Sequence, residues 1–213
     1  MNLQFASEEL QRDRAVVLAA VTDCGWALQF VASEELRRDR EVVLAAVKSC
    51  GWALQFVASE ELRKDREVVL AAVTSCGSVL QLAYEELRRE KEVVLAAVKN
   101  CGSALQFVAE GLRDDLEVVL AAVTNEGEAL SFASEKLRKE KKVVLAAVGS
   151  KGWALKYASE ELRLDKDVAL AAVMQAGAWA LQFVASEQLR NEVWRLAWEC
   201  QCPSASDGRE ERP

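Results

Sequence analysis

The amino-acid sequence predicts an all-α protein, an α-solenoid of about eight two-helix repeats of 25–26 residues. Three observations carry that expectation. VVLAAV stands at Val16–Val21, Val42–Val47, Val68–Val73, Val93–Val98, Val118–Val123 and Val143–Val148, and VALAAV follows at Val168–Val173. Successive copies start 26, 26, 25, 25, 25 and 25 residues apart, and periods of roughly 20–50 residues mark solenoids, propellers or arrays. An acid precedes every copy, and a glycine follows every copy a few residues on.

Each unit reads as a helix A and a helix B. In the unit GWALQFVASEELRKDREVVLAAVTSC (51–76), helix A spans Trp52–Lys64. Leu54, Ala58 and Leu62 fall at i, i+4, i+8, and in a shorter copy Leu130, Ala133 and Leu137 fall at i, i+3, i+7. Both spacings keep the leucines on one face, because a helical turn holds about 3.6 residues. Glu60 lies four residues before Lys64, and Glu34 four before Arg38. That order favours exposed ion pairs and reads as a solvated outer face.

Helix B is REVVLAAVTS. Asp13, Asp39, Asp65, Glu90, Asp115, Glu140 and Asp165 stand at its N-cap. There a carboxylate accepts an orphan backbone N–H and suits the positive helix end. Glutamate caps less well but keeps the dipole term. An apolar run this short is ambiguous between strand and helix by period alone. The Leu-Ala-Ala centre is rich in helix formers, and with the cap it favours helix. With no polar residue over nearly two turns, helix B is expected to be buried almost all round, Leu95 included. Gly25, Gly51, Gly77, Gly102, Gly127, Gly152 and Gly177 stand where a left-handed C′ residue would end it. Two short helices cannot cover such a helix, but the next copy can, which is the logic of a solenoid. The array is expected over residues 1–199. Its last unit is degenerate, with Arg195 in place of leucine and Trp194 and Trp198 entering, and reads as a C-terminal cap. Residues 200–213, ending PSASDGREERP, read as a disordered tail.

Composition narrows the functions. The chain is 51% hydrophobic and 29% charged, ordinary for a soluble folded protein. Its 27 basic and 34 acidic residues leave a net charge of −7, which opposes nucleic-acid binding through a basic stripe. It contains no histidine, so the commonest general base and metal ligand are missing. MNLQFASEELQRDR is no signal peptide. The longest apolar runs, Ala15–Val21 and Val168–Met174, are seven residues long, against about 20 for a membrane span. The expected address is intracellular and cytoplasmic, without membrane insertion. Cys24, Cys50, Cys76 and Cys101 recur in register. If equivalent helices stack at about 8–10 Å, their thiols are too far apart for a disulfide, which wants Cα atoms within about 7 Å. They read as free thiols. Cys200 and Cys202 have no further ligand nearby, so neither a metal nor a cofactor is expected. No phosphate-binding glycine motif occurs, and the carboxylates follow the repeat, so no residue stands out as catalytic.

The run D-R-E-V-V-L-A-A-V, a Cys-Gly-Trp turn and A-L-Q-F-A-S-E-E-L resemble the tandem repeat of the domain of unknown function 4116 family. The resemblance covers about residues 1–198. Glu126 and Lys151 at the cysteine position, Gly111 in one helix A and the last unit depart from it. It implies a helical repeat and no defined activity.

Compared with one another, the copies vary most between helix B and the next helix A: TDCGW, KSCGW, TSCGS, KNCGS, TNEGE and GSKGW. In a solenoid these turns align along one edge. Trp26, Trp52, Trp153 and, one residue displaced, Trp179 project from it. Tryptophan is enriched in interface hot spots; the competing reading is that each indole seals an adjacent helix end. The column Phe30, Phe56, Phe107, Phe132, Tyr157 and Phe183 reads as core. The expectation is a non-enzymatic scaffold that binds another protein, with self-association left open. One rival is a helical-repeat RNA binder, opposed by the charge and by the lack of an unbalanced basic column. Another is a fragment of a longer array without separate function.

Overall fold

The computed structural model describes residues 3–201. The long helices are α1 (Arg14–Asp23), α2 (Arg40–Ser49), α3 (Arg66–Ser75), α4 (Lys91–Asn100), α5 (Leu116–Asn125), α6 (Lys141–Ser150), α7 (Lys166–Ala176) and α8 (Glu187–Gln201). Each packs on the next in sequence order, and so do the segments between them. The described residues contain no strand. The fold is the expected all-α solenoid. Helix α8 runs two residues past the expected end of the array at 199 and takes in Cys200. The rest of the expected tail, with Cys202, lies outside the described residues.

Helix A is not one helix. In the unit quoted above it splits into a 3-10 segment, Gly51–Phe56, and a short α-helix, Glu60–Lys64. Between them Val57 is extended, at φ −67° and ψ 123°, and Ser59 caps the short helix through Leu62 N–H at 3.2 Å. Val57 rather than Ala58 enters the core. The one-residue difference between long and short units falls in this extended link, where no helical phase has to be kept. The link is tied across repeats: Ala58 N–H donates to the Arg37 carbonyl at 3.2 Å, and Ser134 N–H to the Arg113 carbonyl at 3.0 Å.

Helix B forms as expected. Asp39 accepts from the N–H of Glu41 and Val42 at 2.9 and 3.1 Å, and Asp13, Asp65, Asp115 and Asp165 cap likewise. Glu90 and Glu140 make no side-chain cap bond. The helix is buried on three sides, not all round. Val42, Val43, Ala46 and Val47 are fully buried, whereas Leu44 and Ala45 are only partly covered. The same holds at Leu95 and Ala96, so Leu95 faces outward beside the core.

The glycines do not end helices in a left-handed turn. Among the described residues only Gly177 has a positive φ, 67°. The others open the 3-10 segments, and Cys50, extended, is the helix C-cap. They are glycine because a side chain would not fit. A Cβ on Gly77 would overlap the Ala97 carbonyl oxygen of the next repeat, and Gly25, Gly51, Gly102, Gly127 and Gly152 meet Ala46, Ala72, Ala122, Ala147 and Ala172 in the same way. The next helix also reaches back with a polar side chain. Asn100 Oδ1 accepts from Gly77 N–H at 2.7 Å, and its Nδ2 donates to the Thr74 carbonyl at 3.2 Å. Asn125 does the same for Gly102 and Lys99, and Gln175 for Gly152 and Ser150.

An ion-pair ladder crosses the repeats at the other end of the long helices. The first residue of one helix pairs with the cap and the second residue of the next. Lys91 binds Asp115 and Glu117, both at 2.8 Å, and Lys141 binds Asp165 at 2.8 Å and Asp167 at 2.7 Å. Arg14, Arg40 and Arg66 make the equivalent pairs. The ladder stops between α5 and α6, where Leu116 replaces the cation and Lys142 replaces the acid. There Asp114 instead binds Ser134 at 2.6 Å and Lys136 at 3.2 Å.

The ladder holds several carboxylates below the ordinary aspartate range. At Asp115 the Lys91 ammonium is the main cause. At Asp39 and Asp165 partial burial pushes the other way but is outweighed by the cap N–H and the partner cation. A carboxylate with a lower pKa folded than unfolded stabilises fully above the unfolded value, about 3.9. That contribution fades as pH falls through the folded value. Melting temperature is therefore expected to drop as pH falls below about 4, and less steeply in Asp115→Asn, as followed by circular dichroism. Two glycine substitutions should part in sign. Gly77→Ala is expected to cost about 1–3 kcal/mol through overpacking. Gly149→Ala, whose Cβ meets open space in a helix, should gain about 0.5–1 kcal/mol. Urea unfolding reads both. Val98→Asp should cost about 2–7 kcal/mol by burying a polar group, and Leu95→Asp much less.

Candidate functional site

The turn edge is built by the 3-10 segments, which stack on one another from repeat to repeat. The second residue of each carries the variation: Trp26, Trp52, Ser78, Ser103, Glu128 and Trp153. Trp179 is third in its segment because Gly177–Phe183 is one residue longer. Its repeat is also the one entered through the left-handed glycine.

The four tryptophans are not equivalent. Trp26, Trp153 and Trp179 are 41%, 47% and 78% exposed. Trp52 is half-buried and packs on the core, so there the packing role has the stronger support. The Trp26 ring meets Phe56 of the next repeat edge-on, with centroids 5.5 Å apart. Lys151 Nζ lies 5.6 Å from the centroid of Trp153, within cation–π range. The structure places Trp26 and Trp52 on neighbouring rungs, and Trp153 and Trp179 on neighbouring rungs. The polar rungs of Ser78, Ser103 and Glu128 separate the two pairs. The aromatic column Phe30, Phe56, Phe107, Phe132, Tyr157 and Phe183, read from the sequence as core, is half-buried and packs against the core from outside.

Cys24, Cys50, Cys76, Cys101 and Cys200 are free thiols. Cys76 and Cys101 each approach a serine, Ser78 and Ser103, at 3.2 Å. In the next rung Glu126 takes over the column and accepts from Ser103 N–H at 2.8 Å. Among the described residues no group of His, Cys, Asp or Glu side chains is placed to hold a metal, and no helix is long and apolar enough to cross a membrane.

One feature of the surface escaped sequence reading. Arg37, Arg63, Arg88, Arg113, Arg138 and Arg163 form a column with one arginine per repeat. Unlike their neighbours Arg38 and Arg89, none of them is within ion-pair distance of a carboxylate among the described residues. Arg113 Nε donates to the Val108 carbonyl and Arg163 Nε to the Phe183 carbonyl, both at 2.8 Å. The Nε atoms of Arg37, Arg63, Arg88 and Arg138 are buried without a partner. An arginine column thus exists beside the exposed glutamates of the same segments, and where its bonds form they go to backbone carbonyls at the ends of 3-10 segments. Each of these arginines directly follows Leu in the EELR-type motif. That constant offset was the available signal, and the neighbouring glutamates masked it.

A family model of a domain of unknown function, DUF4116, matches residues 1–37, 16–58, 39–88, 90–138 and 140–190. The chain belongs to this family. The last three matches each enclose two long helices, α2–α3, α4–α5 and α6–α7, so one DUF4116 unit corresponds to a pair of the repeats described above. No curated protein matches the chain, and no solved structure does. In this DUF4116 array the Trp26–Trp52 pair lies within the match at 16–58, and the Trp153–Trp179 pair within that at 140–190. Acrylamide quenching of variants that retain one tryptophan should rank Trp179 above Trp153 and Trp26, and Trp52 last. Equal quenching of Trp52 and Trp179 would remove the distinction between edge and core indoles.

Proposed function

We propose that this DUF4116 protein is a non-enzymatic scaffold that binds another protein along its turn edge. The observation that supports the reading is the division of variation within the repeat. The buried positions of the long helices barely change, while the rung residues change from tryptophan to serine to glutamate. Three of the four edge tryptophans leave much of their indole in solvent, a costly exposure that a partner would relieve. The two aromatic pairs suit a partner that touches both ends of the edge and passes over the polar rungs between them. The free thiols suit a reducing compartment, so we place this binding inside the cell.

A triple variant, Trp26→Ser/Trp153→Ser/Trp179→Ser, spares the half-buried Trp52 and should keep the wild-type circular dichroism. Affinity capture from the source cells with both proteins is expected to give a partner that only the wild type holds. With that partner purified, the variant should bind at least about tenfold more weakly. Equal retention by the folded variant would overturn the assignment to this edge.

The arginine column favours one second reading, a single-stranded RNA laid along the repeats. RNA retention falling steeply with salt, and lost on Arg37→Gln/Arg88→Gln/Arg138→Gln, would support it over the scaffold.

A further inference from the structure

The two ends of the array show which way each long helix faces. In α1 the first valine, Val16, is only partly covered, while Val17 and Val21 are fully buried. Helix α1 has no long helix before it among the described residues. The first-valine position therefore faces the preceding repeat, and the other two face the following one. In later helices the following-facing positions are Val43 and Val47, Val69 and Val73, Val94 and Val98, Val119 and Val123, Val144 and Val148, and Ala169 and Val173, all buried.

Helix α8 keeps the pattern but changes the residues. Val193 and Ala197 are buried toward α7. The following-facing positions hold Trp194 and Trp198, which are 42% and 53% exposed. Their rings lie 6.4 Å apart between centroids, tilted by 44°. This apolar face is continuous with the interface that joins every earlier repeat to the next.

Three occupants can be compared on chemistry. A further repeat at the usual spacing does not fit, because that spacing brings a glycine against an alanine carbonyl over small Val and Ala side chains. The segment 202–213, CPSASDGREERP, has five charged residues and no large apolar side chain to lay on two indoles. A second copy presents the same pair of indoles. The charges that flank the indoles in sequence, Arg195 and Glu199, pair with each other within the helix at 3.8 Å. We propose that two copies of this chain associate through Trp194 and Trp198, α8 against α8, in an isologous contact. About half of each indole is still exposed, so four of them can bury about 300–500 Å² more, as the centre of an interface of about 1,200–2,000 Å². The contact is separate from the turn edge and does not depend on the scaffold reading.

Sedimentation equilibrium of the whole chain tests it. The expected mass is twice 23.5 kDa, falling to the monomer on dilution. Trp194→Ser/Trp198→Ser should raise the dimer dissociation constant about thirtyfold or more. If that variant loses helicity, Trp198→Glu alone, which places like charges across the two-fold axis, should do the same. A wild type that stays monomeric at high concentration, or a dimer that survives in folded variants, would overturn the proposal. So would assembly that grows past two copies, since that is the mark of head-to-tail stacking.

Discussion

The fold depends on one close approach, repeated along the array: Gly25, Gly51, Gly77, Gly102, Gly127 and Gly152, each opening a 3-10 segment, lie against an alanine carbonyl of the next repeat. No other residue leaves that space empty. The approach sets how near adjacent repeats come, and other contacts follow from it. Asn100, Asn125 and Gln175 reach back far enough to bridge a glycine N–H and a helix-end carbonyl only at this spacing. The same spacing lets a cation at one helix start meet two acids at the next. Small residues are therefore needed in the facing helix, and a run of valines and alanines supplies them. The hexapeptide recurs because each copy packs on nearly the same surface that it offers to its successor.

The parts of this design differed in how legible they were. Periodicity and the acidic caps could be read because each rests on local chemistry: an aspartate that precedes an apolar run has one obvious use. The break in helix A could not, because i, i+3 and i, i+4 spacings describe a 3-10 segment, a link and a short helix as well as one continuous helix. The glycines were visible, but their cause was not. A fixed glycine after a helix suggests a left-handed turn, whereas a tertiary contact one repeat away demands it here, except at Gly177. Leu95 shows the same limit. An unbroken apolar run does not say which side lacks a neighbour. The turn edge was found because variation against a constant background is itself a signal in a repeat. Which tryptophans stay exposed depends on packing with the next rung, as the Trp26–Phe56 contact shows.

Near-identical repeats pose a register problem, since any surface could pair with any other. The junction between α5 and α6 answers it in part. Elsewhere a cation of the earlier repeat meets acids of the later one. Here Leu116 removes that cation, Lys142 removes an acid, and Asp114 pairs with Lys136 in the opposite sense. A repeat slipped onto this junction would face Lys142 with an arginine or lysine. Exposed pairs add little stability, about 0–1 kcal/mol each, but opposed like charges discriminate against wrong partners. This one junction therefore contributes more to specifying the register than to stability.

The same reasoning separates what can vary in this molecule from what cannot. The core of a long helix is constrained twice, by the repeat before it and by the repeat after it: a change at Val93 must suit α3, and a change at Val94 must suit α5. A rung residue such as Ser78 or Trp153 is constrained on one side only, because its other side meets solvent. Helix α8 is released in a third way: among the described residues no repeat packs on its following face, and tryptophans stand there in place of valines. The exposed indoles of the array gather where the repeat stops constraining the side chain, at the turn edge and on the face of α8. Aromatic surface in both places is a property of those positions and not of the repeat, so its purpose has to be sought in contacts the array does not make with itself.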